Sequence, residues 1–321
     1  DVLTQRGIEI ITEKVNSIKD HPALLYYYLI DEPEGKINFS PKIIKETYEL
    51  MKKLDPYHPV QITNESITGI KTFIDCADMF CPDPYVDPLI DGSLTRPMTY
   101  IISFMEEIKK AGKGKKFVGI TPQVFDAAKV FVLIPPHTTR NNRAPSFVEE
   151  RCMNYLAVIC GAKGFQYYSY GKNDPESWGA VNIPDLRVGM PYLIKEKKSL
   201  EKVILHGKAM EKKVKATDQR IKVSGKILDG KFYLFAVNTA GDPINPEIEI
   251  PGEIKKIRAI SENRTIEINN GKFVDRFDSY DTHIYTSDLA HKDVIDLKKV
   301  EQEIKKEGGW FRYQVISSSI Q

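Results

Sequence analysis

The first two thirds of the chain alternate short apolar runs with longer segments whose apolar residues recur at helical spacing. The apolar runs predict strands at Leu24–Ile30, Val60–Thr63, Cys76–Cys81, Phe117–Ile120 and Gly164–Ser169. The helical spacing predicts helices at Ile8–Ile18, Pro41–Leu54, Thr99–Ala111, Phe147–Cys160 and Met190–Leu205, and the connection from the second strand to the third is poor in helix signals. Strands that alternate with helices imply a parallel sheet with right-handed crossovers.

After about Gly207 the pattern changes to short alternating segments separated by Gly, Asn and Pro turns. These segments predict an antiparallel β-sandwich of roughly eighty residues. They are Arg220–Val223, Phe232–Ala236, Ile248–Ile250, Lys256–Ile260, Thr265–Ile268 and His283–Tyr285. We therefore expect an α/β region at 1–206, a β-sandwich at 207–290, and a linker or the start of a further module at 291–321. That last region contains a helical pattern, Val294–Lys306, and a strand-like tail, Trp310–Ser317.

Composition narrows the function classes. The 321 residues include 46 basic and 44 acidic side chains, so the formal net charge of +2 predicts neither nucleic acid nor an anionic membrane as partner. No apolar stretch approaches the roughly 20 residues of a membrane span, and the start at Asp1 shows no signal-peptide pattern. The four cysteines are expected as free, buried thiols. Neither a metal-ligand spacing nor a cofactor motif is present, so we predict no cofactor.

The segment from His21 to Pro33 is the most informative in the chain. Leu24–Ile30 has no polar alternation, which predicts a parallel strand covered on both faces. Asp31 and Glu32 follow directly, and Pro33 ends the strand because it cannot donate to a ladder. Two carboxylates at the C-terminal end of a barrel strand are placed where catalysis occurs in (β/α)8 proteins. The alternative interpretation is an ordinary polar turn.

Motifs at the five predicted strands form an ordered set. Four are strand ends, namely Asp31-Glu32-Pro33, Asp83-Pro84-Tyr85, Gln123-Val124-Phe125 and the segment Tyr167–Tyr170, and one, Asp55-Pro56 with His58-Pro59-Val60, leads into the second strand. This set resembles the fourth to eighth strands of the clan of retaining glycoside hydrolases built on (β/α)8 barrels. The resemblance implies a (β/α)8 fold of which only strands four to eight are visible here, followed by the β-sandwich. It also favours a secreted or periplasmic location.

Five strands cannot close a barrel that needs eight. Either the sheet is open, or roughly three N-terminal units lie outside this chain. In the second case an N-terminal fragment or a second chain would complete the barrel. The order of the strand ends favours the second case.

The resemblance implies catalytic roles for two carboxyl groups. Glu32 corresponds to the acid/base of the clan, and Asp31 stands where relatives carry an Asn that binds a sugar hydroxyl. Gln123 occupies the position of the nucleophilic Glu, which glutamine cannot replace. Asp83 is the best substitute by position, although it also suits a turn between two prolines. We expect Asp83 to lie farther from Glu32 than the ~5–5.5 Å of a retaining pair, as suits an inverting base.

Aromatic residues near the strand ends are candidates for a sugar-stacking surface, with ordinary core packing as the alternative. The candidates are Tyr85, Phe125, Tyr168, Tyr170 and Trp178, and Gln123 is a further candidate for sugar binding. Arg140 and Arg143, in the long loop after Phe125, are candidates for binding an acidic sugar. Asp126, Glu34 and Glu176 have weaker claims as loop acids.

The predicted function is hydrolysis of a poly- or oligosaccharide with Glu32 as general acid. One alternative is a carbohydrate-binding or structural protein on the same scaffold that has lost hydrolysis, which Gln123 favours. The other is a different barrel enzyme in which Asp31 and Glu32 bind a metal ion.

Overall fold

The computed structural model describes residues 2–35, 38–132, 141–172, 177–210 and 214–315. A five-stranded parallel sheet has the strand order of the sequence, β1-β2-β3-β4-β5. Its strands are β1 (Tyr27–Asp31), β2 (Val60–Thr63), β3 (Met79–Phe80), β4 (Phe117–Ile120) and β5 (Gly164–Phe165). Every neighbouring pair is parallel. The predicted parallel sheet and its five strands are therefore confirmed, whereas a closed barrel remains a prediction.

The helices of the described residues mostly follow the predicted pattern. They are α1 (Gln5–Ile18), α2 (Pro41–Leu54), α3 (Ile67–Phe73), α4 (Tyr100–Ala111), α5 (Ala127–Val132), α6 (Phe147–Ile159), α7 (Pro184–Ser199), α8 (Glu201–His206) and α9 (Leu297–Lys306), with 3-10 turns at Ile74–Cys76 and Ala180–Asn182. Two expectations are wrong. A helix, α3, occupies the connection expected to be poor in helix, and α7 begins at Pro184 rather than Met190 because Pro191 is accommodated inside it.

Strand β1 differs from the prediction in its burial. Tyr27 is buried in a cluster with Val15 and Val60, but Tyr28 is 44% exposed and Leu25, just before the strand, is 75% exposed. The prediction that this strand is covered on both faces is therefore wrong for the described residues. Within them β1 is an edge strand that pairs only with β2.

The chain forms two compact units. The first contains Asp1–Pro84, Tyr100–Thr121 and Cys160–Gln166, and it holds the parallel sheet. The second contains Tyr85–Thr99, Pro122–Ile159 and Tyr167–Gln321. The predicted regions 1–206, 207–290 and 291–321 are not tested by this division and remain predictions.

The second unit carries two antiparallel sheets. A three-stranded sheet has the order β13-β10-β7 and a six-stranded sheet the order β12-β11-β14-β9-β8-β6. Their strands are β6 (Lys208–Ala209), β7 (Lys215–Ala216), β8 (Ile221–Leu228), β9 (Lys231–Asn238), β10 (Glu247–Glu249), β11 (Lys256–Ala259), β12 (Arg264–Glu267), β13 (Lys272–Val274) and β14 (Thr282–Thr286).

Both antiparallel sheets contribute to one hydrophobic cluster. Ile248 and Phe273 come from the smaller sheet, and Leu234, Ile257 and Tyr285 from the larger one. The antiparallel character of this region is confirmed, and the face-to-face sandwich remains a prediction. No strand forms in the described part of the tail, residues 310–315.

Two further expectations concern the whole chain. Cys76, Cys81 and Cys152 are free, buried thiols, as expected, whereas Cys160 is only partly buried. Across the described ranges, no helix has the length and apolar character that a membrane crossing requires.

Candidate active site

Glu32 follows the last residue of β1 in a backbone conformation that only glycine adopts easily. Its φ angle is +42°, in the left-handed region where a side chain is strained. Two hydrogen bonds hold this conformation: the Glu32 N–H donates to the Thr63 carbonyl at 3.1 Å, and the Gly35 N–H donates to the Glu32 carbonyl at 2.9 Å. A strained, doubly tied glutamate at a strand end favours a functional role over a simple turn.

Asp83 lies three residues beyond β3, and its side chain reaches Glu32. Its N–H donates to the Asn64 carbonyl at 3.3 Å, and the residue is only 6% exposed. A side-chain hydrogen bond joins the carboxyl groups of Glu32 and Asp83. Our expectation of a wide separation is therefore wrong. The two strand ends are brought together because Thr63 and Asn64, at the end of the intervening strand β2, each bind one of them.

The electrostatics of the pair favour a shared proton. Burial raises the pKa of Asp83 well above its ordinary value, and the hydrogen bond to Glu32 raises it further. Burial also raises the pKa of Glu32, as do the negative charges of Glu65, Asp31 and Glu34, while the hydrogen bond with Asp83 lowers it. Two carboxyl groups in contact cannot both ionise readily. The pair therefore keeps one proton at pH values above the usual range of carboxyl pKa values.

Asp31 lies beside the pair but faces solvent. The Tyr28 hydroxyl donates to Asp31 Oδ1 at 2.5 Å and also lies 3.1 Å from the Thr63 hydroxyl oxygen. These contacts explain why a tyrosine occupies a half-exposed position in an apolar strand. Asp31 is thereby oriented as an exposed acceptor next to Glu32, and its role in binding a sugar hydroxyl stays a prediction.

Two residues near the pair, Asn64 and Glu34, are not among the main site residues predicted from the sequence. Asn64 is completely buried, and its amide donates to Glu34 Oε2 at 2.8 Å. Glu34 has only a weak claim as a loop acid, and the sequence marks Asn64 only by its position directly after a strand and as the first residue of an Asn-Glu-Ser sequon. The one sequence feature that points to Glu34 is its position two residues after Glu32.

The predicted aromatic residues belong to the second unit, where three of them form a cluster. The ring of Phe125 lies 4.9 Å from that of Tyr85 and 5.9 Å from that of Tyr168, both in edge-to-face geometry. Phe125 is 2% exposed, whereas Tyr168 is 47% and Tyr170 71% exposed. Phe125 therefore supports its neighbours from the core, and the exposed tyrosines are the members available for stacking.

Trp178 is half-buried, and its indole Nε1 is a buried donor that no described residue satisfies. An unpaired buried donor costs free energy unless something else accepts from it. Trp178 therefore keeps its place among the candidates for ligand binding, and this role remains a prediction.

Gln123 is completely buried. Its Oε1 accepts the Asp87 N–H at 3.0 Å, so the side chain supports the loop that begins at Tyr85. Its predicted contact with sugar stays a prediction.

Arg140 lies outside the described residues. Arg143 is engaged, because two of its nitrogens each donate to Glu149 at 2.7 Å.

Metal binding through the acidic residues has no geometric support in the described ranges. No group of three or more His, Cys, Asp or Glu side chains is arranged there to hold an ion.

Comparisons with known proteins identify the fold. No family model matches the sequence, and no curated protein matches it. Solved structures do match. A GH27 β-L-arabinopyranosidase from Geobacillus stearothermophilus superposes with a TM-score of 0.55 at 10% identity, over 87% of this chain and 60% of that chain. An Anoxybacillus α-amylase gives 0.52 at 12% identity, over 88% and 64%. A family 39 glycoside hydrolase from Bacteroides cellulosilyticus WH2 gives 0.50 at 13%, over 88% and 62%.

The fold is therefore that of glycoside hydrolases, and the resemblance in the strand ends is confirmed at the level of the fold. The chain spans less than two thirds of the length of each of these three proteins. At such low identities, activity and site residues are not transferred with the fold.

Proposed function

We propose that the chain is a glycoside hydrolase acting on a poly- or oligosaccharide, with Glu32 as its general acid. One observation carries the proposal: the hydrogen-bonded carboxyl pair of Glu32 and Asp83 at the C-terminal ends of β1 and β3. The glycoside-hydrolase fold supports it, because active sites of barrel enzymes lie at that edge of the sheet.

The pair supplies one requirement of glycoside cleavage, a general acid. A carboxyl group with a raised pKa stays protonated to higher pH than an ordinary one and can donate to the glycosidic oxygen. Glu32 is the less buried member, so the single proton of the pair passes through Glu32 to the glycosidic oxygen, which leaves both carboxyl groups ionised. The bond from the anomeric carbon to the leaving oxygen breaks, the leaving sugar departs as an alcohol, and water adds to the anomeric carbon. The proton released by that water restores the pair.

The test is Glu32→Gln on a panel of aryl glycosides and oligosaccharides. We expect loss of turnover by about 10²–10⁴-fold, the usual contribution of general acid catalysis, with sugar binding by calorimetry nearly unchanged. Glu65→Gln is the matched control, because it removes a neighbouring exposed carboxylate and keeps the pair. Wild-type protein that cleaves no glycan of a broad panel would refute the proposal.

A second candidate is a carbohydrate-binding protein on this scaffold without hydrolysis. Direct contact within the pair favours it, since retaining and inverting glycosidases separate their carboxyl groups by ~5–5.5 Å and ~6.5–9.5 Å. Gln123 at the usual nucleophile position favours it too. Sugar binding without turnover in the same panel would identify this candidate.

The predicted partner, an N-terminal fragment or second chain that completes the barrel, also remains a proposal. The unpaired edge of β1 supports it, as does the apolar groove that α1 and β1 form there. The groove is lined by Ile11, Val15, Ile18, Leu24 and Leu29, among others.

A further inference from the structure

Two consecutive carbonyl groups at the end of β2 set the position of the carboxyl pair. The Thr63 carbonyl accepts from the Glu32 N–H, and the Asn64 carbonyl accepts from the Asp83 N–H. A shift of this peptide would move the two main chains relative to each other. The geometry of the pair therefore depends on what holds Thr63 and Asn64 in place.

The side chain of Asn64 has one anchor. Its amide nitrogen donates to Glu34 Oε2, while Oδ1 is buried and no donor of the described residues reaches it. Asn64 is 0% exposed, so water does not substitute readily for Glu34. Loss of that bond would leave both polar ends of a buried amide unsatisfied, which disfavours the present position of Asn64.

Glu34 is in turn fixed to the start of α3. Its Oε1 accepts from the Ser66 N–H at 3.1 Å and from the Ser66 hydroxyl at 3.2 Å. Ser66 is the N-cap of α3 and accepts from the Gly69 N–H. The carboxylate of Glu34 packs so closely on Gly69 that a Cβ atom there would overlap it. Glu34 thus accepts hydrogen bonds from three donors, which together fix its side chain in one orientation.

We propose that Glu34 and Asn64 are positioning residues that hold Glu32 and Asp83 within hydrogen-bonding distance of each other. Their catalytic importance rests on the proposed function, but the geometric claim does not. Glu34 is already an electrostatic neighbour of Glu32, so an experiment must separate its charge from its hydrogen bonds.

Two variants separate these effects. Glu34→Asp keeps the negative charge but is too short to reach both Asn64 and Ser66. Glu65→Gln removes a negative charge that also acts on Glu32, but Glu65 is exposed and takes no part in the bonds to Asn64 and Ser66. The readout is the ¹³C-carboxyl NMR titration of Glu32 and Asp83, assigned with Glu32→Gln and Asp83→Asn.

In wild-type protein we expect one titration of the pair above the ordinary carboxyl range. Glu34→Asp should lower the pKa of this titration by about one unit or more, because the two carboxyl groups would no longer share a proton. Glu65→Gln should lower it by only a few tenths, roughly, since an exposed charge is screened by solvent. An unchanged titration in Glu34→Asp, or an equal drop in Glu65→Gln, would overturn the proposal, as would a wild-type pair that titrates normally.

If Glu34→Asp fails to fold, Glu34→Gln takes its place. It keeps the acceptor for Ser66, loses the acceptor for Asn64, and removes the same charge as Glu65→Gln. A larger drop than in Glu65→Gln supports the positioning role, and equal drops refute it. The titrations do not depend on turnover, so failure of the glycan panel leaves this result standing and the two proposals fail separately.

Discussion

Gly69→Ala is predicted to destabilise the protein, against the usual effect of this substitution in a helix. Alanine is favoured over glycine inside a helix by about 0.8–1.0 kcal/mol. At Gly69 in α3, however, the added methyl group would overlap the carboxyl group of Glu34. To relieve this overlap the Glu34 side chain must move, and its hydrogen bonds with Asn64 and Ser66 would be lost.

The magnitude follows from those bonds. The bond from Asn64 to an ionised acceptor contributes about 1.5–3 kcal/mol, and its loss leaves a buried donor. The two bonds from Ser66 are partly open to water, so together they add about 1–2 kcal/mol. After the helical preference for alanine, about 1 kcal/mol, is subtracted, the free energy of unfolding should fall by about 1.5–4 kcal/mol.

Urea unfolding of four proteins tests this value: wild type, Gly69→Ala, Glu34→Ala and the double variant. With the Glu34 carboxyl group removed, the methyl group has nothing to displace, so Gly69→Ala should no longer destabilise and should raise stability by up to about 1 kcal/mol in that background. Gly7→Ala in α1 is the matched control, because a Cβ there meets only the end of the Leu3 side chain, at 3.0 Å, and Thr4 Oγ1, at 3.4 Å. We expect it to raise stability by about 0.5–1 kcal/mol.

Two outcomes would refute the reasoning. The first is a Gly69→Ala protein as stable as wild type or as Gly7→Ala. The second is an equal cost of Gly69→Ala with and without the Glu34 carboxyl group, since the cost would then have another origin.

Two predictions concern pH. Burial raises the pKa values of Asp83 and Glu32, so the native pair keeps a proton that the unfolded chain releases above about pH 4. The contribution of the pair to stability therefore falls as pH rises from about 4 through the raised pKa of the native pair. Asp83→Asn should flatten that part of a urea-unfolding pH series, and an unchanged slope would contradict this. Burial tends to raise the pKa of Asp55, but its hydrogen bonds outweigh this effect and lower the pKa; the largest of them comes from the Tyr27 hydroxyl at 2.8 Å. The ionised Asp55 therefore contributes stability at neutral pH, and this contribution is lost as pH falls below about 4. Asp55→Asn should cost about 1–3 kcal/mol at pH 7 and little at low pH, with exposed Asp20→Asn as control; equal effects of the two would contradict it.

Much of the parallel sheet could be predicted because local signals agreed with the tertiary structure. Val60–Thr63 and Phe117–Ile120 have the predicted bounds, since each is a compact apolar run whose ends are marked by polar or turn residues. Helix α3 was missed because its sequence, ITGIKTF, combines β-branched residues with glycine. Its start depends on the Ser66 cap and on Glu34, which is remote in sequence.

The candidate site was predictable in part. Glu32 and Asp83 could be selected because each lies two residues beyond a predicted strand, within the ordered set of strand-end motifs. Their contact could not, since it depends on how Thr63 and Asn64 place two separate strand ends. The roles of Asn64 and Glu34 arise entirely from tertiary contacts, which no spacing rule encodes.

The left-handed backbone of Glu32 has a consequence for evolution and engineering. A glycine at this position would relieve the conformational cost and remove a desolvated acid from the molecule, so the resulting protein should tolerate heat better. A screen that rewards thermal resistance alone would then enrich variants that have discarded the acid. Retention of glutamate at so unfavourable a position would indicate selection for what its side chain does.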